Sequence, residues 1–185
     1  MKVGVFVGSF NPPHIGHELI IKTLLDNKTI DKVIVIPTKS YWDKRINTSL
    51  EDRINMLKYL ANDKVIIDTA HNDYEYTYQI LNDLSNKYED LYLIIGSDNI
   101  VDFDKWKNID EILNHHVIVL GRENIDVDSY LDKFDRNKFI IVDFDNDISS
   151  TFIRNQINKS DYDSILESMN PKVLSYIKKN NLYKE

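Results

Sequence analysis

Six short apolar runs, rich in Val and Ile, constrain this chain more than any other feature. They are "KVGVFVG" (2–8), "KVIVIP" (32–37), "KVIIDT" (64–69), "LYLIIGS" (91–97), "HVIVLG" (116–121) and "KFIIVD" (138–143). Each is nearly continuous rather than alternating, as expected of strands covered on both faces. Helical patterns lie between them. Residues 17–28 carry Ile20, Ile21, Leu24 and Leu25, and residues 48–61 set Leu50, Ile54, Leu57 and Ala61 on one stripe behind Ser49, a suitable N-cap. Further helices are expected over 76–87, 106–113, 149–157 and 171–179, the last with Pro171 at its start. Strand and helix alternate throughout. This predicts a Rossmann-like α/β fold: a doubly wound parallel sheet in a three-layer α/β/α sandwich. With 185 residues and no linker or repeat, one domain over 1–185 is expected. Stretches 38–47 and 69–75 carry the least pattern, and 122–137 reads as a surface excursion.

Composition narrows the partners. The formal net charge is −7, which disfavours general binding of nucleic-acid backbone. A small anion can still bind, provided that backbone N–H groups, helix N-termini or a few placed cations overcome the overall field. There is no cysteine, so disulfides, thiolate chemistry and Cys-based zinc sites are excluded. No apolar run approaches ~18 residues, and no basic region followed by a long apolar core opens the chain. A cytosolic protein without a membrane partner is expected. No oligomeric state can be read from these features.

In open α/β sheets, ligands bind at the carboxyl ends of the strands. Here those ends carry "GSFNPPHIGH", "PTKSYWDKR", "GSDN" and "GREN". In the first, Gly8, Ser9, Phe10 and Asn11 form a turn that leads into a helix beginning near His14–Gly16. Free N–H groups and the positive end of a helix dipole make such a junction an anion site. His14 and His17 add donors. Two alternatives are an ordinary strand-to-helix turn, and a metal pair of i,i+3 histidines, for which no third ligand is evident. The segment is neither a G-x-x-x-x-G-K-[ST] loop nor G-x-G-x-x-G, which disfavours a dinucleotide-dependent dehydrogenase.

A second constellation lies near the other end, "ISSTFIR" at 148–154. Ser149 can cap a helix, with Ile148 and Ile153 at staple positions. Ser150 and Thr151 then occupy its first turn, and Arg154 adds a cation of fork geometry. A merely well-capped helix is the simpler reading. The acidic run "DFDND" (143–147) before it reads as a solvated loop.

"GSFNPPHIGH" resembles the G-[ST]-F-[DN]-P-x-H-x-G-H signature of the nucleotidylyltransferase superfamily, and "ISSTFIR" resembles its I-S-[SAT]-T-x-I-R signature. Within it, "LIIGSDNIVDFDKWKNIDEIL" (93–113) is similar to bacterial nicotinate-mononucleotide adenylyltransferases: Gly96 and Asp98 match the family's G-x-D, and Trp106 its tryptophan eight residues beyond. Tyr76 and Thr77 match a Tyr-Thr pair, Arg53, Met56 and Leu57 an R-x-x-M-L helix, and "YIKKNNLY" (176–183) a terminal pattern. The resemblance covers nearly the whole chain. Pantetheine-phosphate adenylyltransferases share the first motif but lack the tryptophan segment.

The resemblance implies roles. Gly8, Ser9, Phe10, His17, Arg122, Ser149, Ser150, Thr151 and Arg154 would bind ATP, and His14, His17, Lys44 and Arg154 would act on the reacting phosphates. Asn11, Tyr76, Thr77, Gly96, Asp98, Trp106 and Lys107 would hold a pyridine mononucleotide, with Trp106 offering a stacking face. Mg²⁺ would arrive with ATP. Trp106 as a core aromatic and Arg122 as a surface residue are the plainer readings. The loop "TKSYWDKR" (38–45) departs from the family's N-x-P-P-H-K; Lys44 stands at its basic position, with Arg45 beside it. Asn11 replaces a commoner Asp. The implied reaction is adenylyl transfer from ATP to nicotinate mononucleotide, giving deamido-NAD and pyrophosphate. Nicotinamide mononucleotide or 4'-phosphopantetheine as acceptor, and a non-catalytic nucleotide-binding regulator, are the alternatives.

Overall fold

In a computed structural model of the chain, which describes residues 1–39, 48–121 and 125–185, all six apolar runs are strands of one parallel sheet. They are β1 (Lys2–Gly8), β2 (Lys32–Pro37), β3 (Val65–Ile67), β4 (Asp90–Gly96), β5 (His116–Gly121) and β6 (Phe139–Asp143), in the spatial order β3-β2-β1-β4-β5-β6. Every pairing is parallel; Val5 of β1 lies beside Ile34 of β2 and Leu93 of β4. The chain runs outward from β1 to β3, then returns to β4 on the other side. The reversal therefore falls between β1 and β4, and in such sheets the crevice at the carboxyl ends of those strands takes the ligand.

The continuous apolar runs are divided by the two-residue period of a strand. Val3, Val5, Ile34, Ile36, Leu91, Leu93, Ile95, Val117 and Val119 face one core. Phe6, Val33, Val35, Tyr92, Ile94, Ile118 and Leu120 face another. Helix α3 (Thr77–Leu84) closes the first with Ile80, Leu81 and Leu84, and α1 (Ile15–Asp26) closes the second with Ile21 and Leu24. A third cluster joins α2 (Leu50–Leu57), α7 (Ser150–Asn158) and α8 (Pro171–Lys179) through Met56, Ile153, Ile157, Val173, Leu174 and Ile177. No helix among the described residues is long and apolar enough to cross a membrane.

Several expected boundaries move. The strand expected over 64–69 is three residues long. The helix expected over 48–61 is α-helical only over Leu50–Leu57 and ends in a 3-10 turn at Lys58–Leu60. Its buried edge is Arg53, Met56 and Leu57, with Ala61 exposed. The stripe expected there is displaced because Arg53 finds polar partners inside. The helix expected over 106–113 shortens to α5 (Ile109–Ile112), behind an extended Trp106 and a left-handed Asn108 at φ 51°, and an unexpected short helix, α4 (Ser97–Ile100), follows β4 directly. The excursion expected over 122–137 carries α6 (Val127–Leu131), which buries Val127 and Leu131 behind an Asp126 cap.

Candidate active site

The turn after β1 is held from three sides. Gly8 O accepts the Thr38 N–H at 2.9 Å. Phe10 sits at φ 47° and is buried, its ring edge-on to Phe6 at 5.2 Å and to His17 at 4.9 Å. A Cβ on Gly8 would lie 3.3 Å from the Phe10 ring, so residue 8 has little room for a side chain. The Asn11–Pro12 peptide is cis. Asn11, 1% exposed, closes the turn, and His14 becomes the N-cap of α1.

Helix α7 docks its first turn onto that same loop. Ser149 caps it, accepting from Phe152 N at 3.1 Å. Ser150 Oγ donates to Pro12 O at 2.9 Å, and Arg154 Nη1 donates to Asn11 O at 2.8 Å. Arg154 Nη2 also reaches Thr151 Oγ1 at 3.2 Å. Ile148 and Ile153 pack in the third core, as their staple positions predict. The two motifs, far apart in sequence, thus bring two helix N-termini to one place at the carboxyl edge of the sheet. Each end presents unpaired N–H groups and a positive dipole. The pairing of a guanidinium, imidazoles and N–H groups suits phosphate oxygens.

The histidines are stacked, ring centroids 3.8 Å apart. His14 N donates to His17 Nδ1 at 3.1 Å. That assigns the remaining proton of neutral His17 to Nε2, making it a hydrogen-bond donor. Burial first, and the charge of His14 second, hold the His17 imidazole well below its ordinary range. Gly16 makes the stack possible: a Cβ there would lie 2.8 Å from His14 Cε1.

The remaining expected residues among those described lie on the connections that follow β3 and β4. Tyr76 caps α3, its N–H donating to Gln79 Oε1 at 3.0 Å, and Thr77 opens the helix. Glu75, by hydrogen bond and charge, raises the Tyr76 phenol. Gly96 ends β4, and Asp98 stands exposed in α4. Trp106 is half-buried, edge-on to Phe103 at 5.1 Å, and packs against the first core while keeping part of its ring in the open. Lys107 is exposed. Lys44, Arg45 and Arg122 lie outside the described residues.

Two contributors carried no sequence signal for what they do. Arg53 is 3% exposed, and its Nη1 donates to Ser9 O and Thr38 O at 2.7 Å each. It clamps the ends of β1 and β2, and burial lowers its pKa. The resemblance marked it as the arginine of the R-x-x-M-L helix but gave it no role. Tyr183 donates to Asn11 Oδ1 at 2.7 Å. Among the described residues, no group of three or more His, Asp or Glu side chains is arranged to hold a metal.

Known proteins resemble this chain in sequence and fold. The cytidylyltransferase-like family model matches residues 5–156. The chain belongs to that family and is a nucleotidyltransferase. A "probable nicotinate-nucleotide adenylyltransferase" of Acholeplasma laidlawii is 34% identical over 98% of this chain and 97% of its own length. A protein of the same description from Caldicellulosiruptor saccharolyticus is 35% identical over 100% of both chains. Plasmodium falciparum nicotinic acid mononucleotide adenylyltransferase complexed with NaAD superposes with a TM-score of 0.84 at 25% identity, covering 98% of this chain and 97% of that one. The same enzyme complexed with APC gives 0.81. By these full-length relatives, the chain belongs to the family of the nicotinate-nucleotide adenylyltransferases.

Proposed function

We propose that this protein transfers the adenylyl group of ATP to nicotinate mononucleotide, forming deamido-NAD and pyrophosphate. The observation that carries the reading is the docking of the α7 first turn onto the His14–His17 loop through Ser150 and Arg154. An oxygen of the mononucleotide phosphate attacks the α-phosphorus of ATP, and the bond from that phosphorus to the bridging oxygen of pyrophosphate breaks. The nucleophile is already an anion, so no group need remove a proton. Catalysis reduces to aligning two anions and stabilising the leaving charge. His17 suits that work, since its Nδ1 is occupied and its Nε2–H can only donate. Arg154, Ser150, Thr151 and the turn amides would hold the triphosphate, and the resemblance adds Lys44 and Arg122, which lie outside the described residues. Trp106 would stack on the pyridine ring, Asp98 would accept from a ribose hydroxyl, the backbone amides of Thr77 and Lys107 would hold the carboxylate, and Tyr76 and Gly96 would belong to the same mononucleotide site.

The donor set at the site is made of N–H groups, imidazoles and a guanidinium, which fits phosphate oxygens rather than a bare cation. Magnesium would therefore be held by the triphosphate and water. When bound, it supplies neutralisation of phosphate charge.

A panel of acceptors tests the reading. Nicotinate mononucleotide, nicotinamide mononucleotide and 4'-phosphopantetheine are each incubated with Mg-ATP, and pyrophosphate is measured. The acid mononucleotide should give the highest kcat/KM. An equal or higher value for either other acceptor overturns the substrate, and ATP binding without pyrophosphate from any of them overturns the reaction.

A further inference from the structure

Tyr183 belongs to the segment that follows α8, distant in sequence from both phosphate motifs. Its approach is prepared by the way α8 ends. Asn181 takes a left-handed φ of 51°, Asn181 N donates to Lys178 O at 3.3 Å, and Leu182 N donates to Ile177 O at 3.1 Å. This is a Schellman closure, and Leu182 packs on the third core as such closures require. Tyr183 follows at φ 62°, an uncommon conformation for a bulky residue. Beyond it, Glu185 N donates to Asn158 Oδ1 at 3.2 Å, and Lys184 reaches Ser160. The segment is therefore fastened to the far end of α7 while its tyrosine reaches the turn after β1.

What the tyrosine does there is specific. Burial pushes its phenol above the ordinary range, against the opposing pull of Thr48 and the Arg53 and Arg154 charges, so it is a proton donor. The donor meets Asn11 Oδ1 at 2.7 Å. Accepting from a phenol fixes which end of the carboxamide points where. Nδ2 is left as the other end, buried and without a hydrogen-bond partner among the described residues. A buried, unsatisfied donor in a native site calls for an explanation, and here it lies in the loop that Arg154 and Ser150 tie to α7.

We propose that Tyr183 is a positioning residue for adenylyl transfer, orienting the Asn11 carboxamide so that its Nδ2 donates to the acceptor mononucleotide. The inference rests on the adenylyl-transfer reading above. It also gives the Asn at position 11 a meaning: an Asp would keep the phenol bond and lose the donor.

The test is a double-mutant cycle on the full chain, with steady-state KM for both substrates and thermal midpoints. Tyr183→Phe should raise the KM for nicotinate mononucleotide at least about fivefold and leave the KM for ATP within about twofold. In an Asn11→Ala background the same change should add less than about twofold, because there is no carboxamide left to orient. Equal effects of Tyr183→Phe in both backgrounds, equal shifts in the two KM values, or no shift overturn the proposal. Should Tyr183→Phe fail to fold, Asn11→Asp carries the test: it retains the phenol bond, and an unchanged acceptor KM overturns the proposal. Wild-type enzyme is assayed alongside. If it releases no pyrophosphate with any acceptor, the reaction itself is misassigned, a result distinct from an active wild type with an indifferent Tyr183.

Discussion

His14 lies flat against His17, ring centroids 3.8 Å apart, and its backbone N–H closes on His17 Nδ1. The contact turns His17 into a fixed donor. Removing one preorganised donor from such a site costs about 2.7–4 kcal/mol, or 10²–10³ in rate. His17→Ala should therefore lower kcat at least about 100-fold with little change in KM for either substrate. Near-wild-type turnover would remove His17 from the mechanism.

Burial of His17, with the charge of His14 second, sets a pH dependence. The folded-state pKa of His17 lies well below that of the unfolded chain, about 6.5. Below pH ~6.5 the unfolded state binds a proton that the native imidazole refuses, so stability falls as pH drops through that value and is unaffected above it. Thermal midpoints between pH 8 and 5 should decline less steeply in His17→Gln than in wild type. Parallel declines would refute the assignment.

Gly16 is the space that the stack occupies. Alanine is worth up to ~1 kcal/mol over glycine inside a helix, so Gly16→Ala should not lower the thermal midpoint through propensity. Its Cβ, 2.8 Å from His14 Cε1, must displace that ring. We expect kcat to fall about tenfold or more at nearly unchanged stability, measured by pyrophosphate release and thermal melt.

Arg53 satisfies two carbonyls where neither strand can. Arg53→Met leaves Ser9 O and Thr38 O without their guanidinium, at roughly 1–3 kcal/mol for each unsatisfied group. For a chain of this size, the two together are a drop in Tm of about 4–24 °C. A midpoint within ~2 °C of wild type would show that the clamp carries no stability.

Trp106 should separate the two substrates. Stacking on an aromatic face is worth roughly 1–3 kcal/mol, so Trp106→Ala should raise the KM for the mononucleotide between about 5- and 150-fold while sparing ATP. Trp106→Phe should recover part of it. Equal effects on both substrates would point to the ring's packing on Phe103 instead.

The sheet was legible because both of its faces are buried. Runs such as Val33-Ile34-Val35-Ile36 need no alternation when each neighbour faces a different core. The cap at Ser149 and the helix start at Pro171 were legible because they answer to their own helix. Arg53 was not, because an amphipathic pattern counts arginine as a surface residue and cannot see two carbonyls 15 and 44 residues away. Tyr183 was hidden likewise, its partner being 172 residues distant. The tryptophan segment misled as to helix length: Asn108 adopts a left-handed conformation, which its residue type allows but does not announce. Val127 and Leu131 show the converse, two apolar residues in a polar stretch whose i,i+4 spacing makes a short buried helix.

The central claim is that the adenylyl group, and no other part of ATP, passes to the mononucleotide. Turnover with ATP labelled at the α-phosphate should carry the label into a dinucleotide with the mass of deamido-NAD, while label at the γ-phosphate should leave entirely in pyrophosphate. Label from the γ-position on the acceptor, or pyrophosphate released without an acceptor-derived dinucleotide, would contradict it.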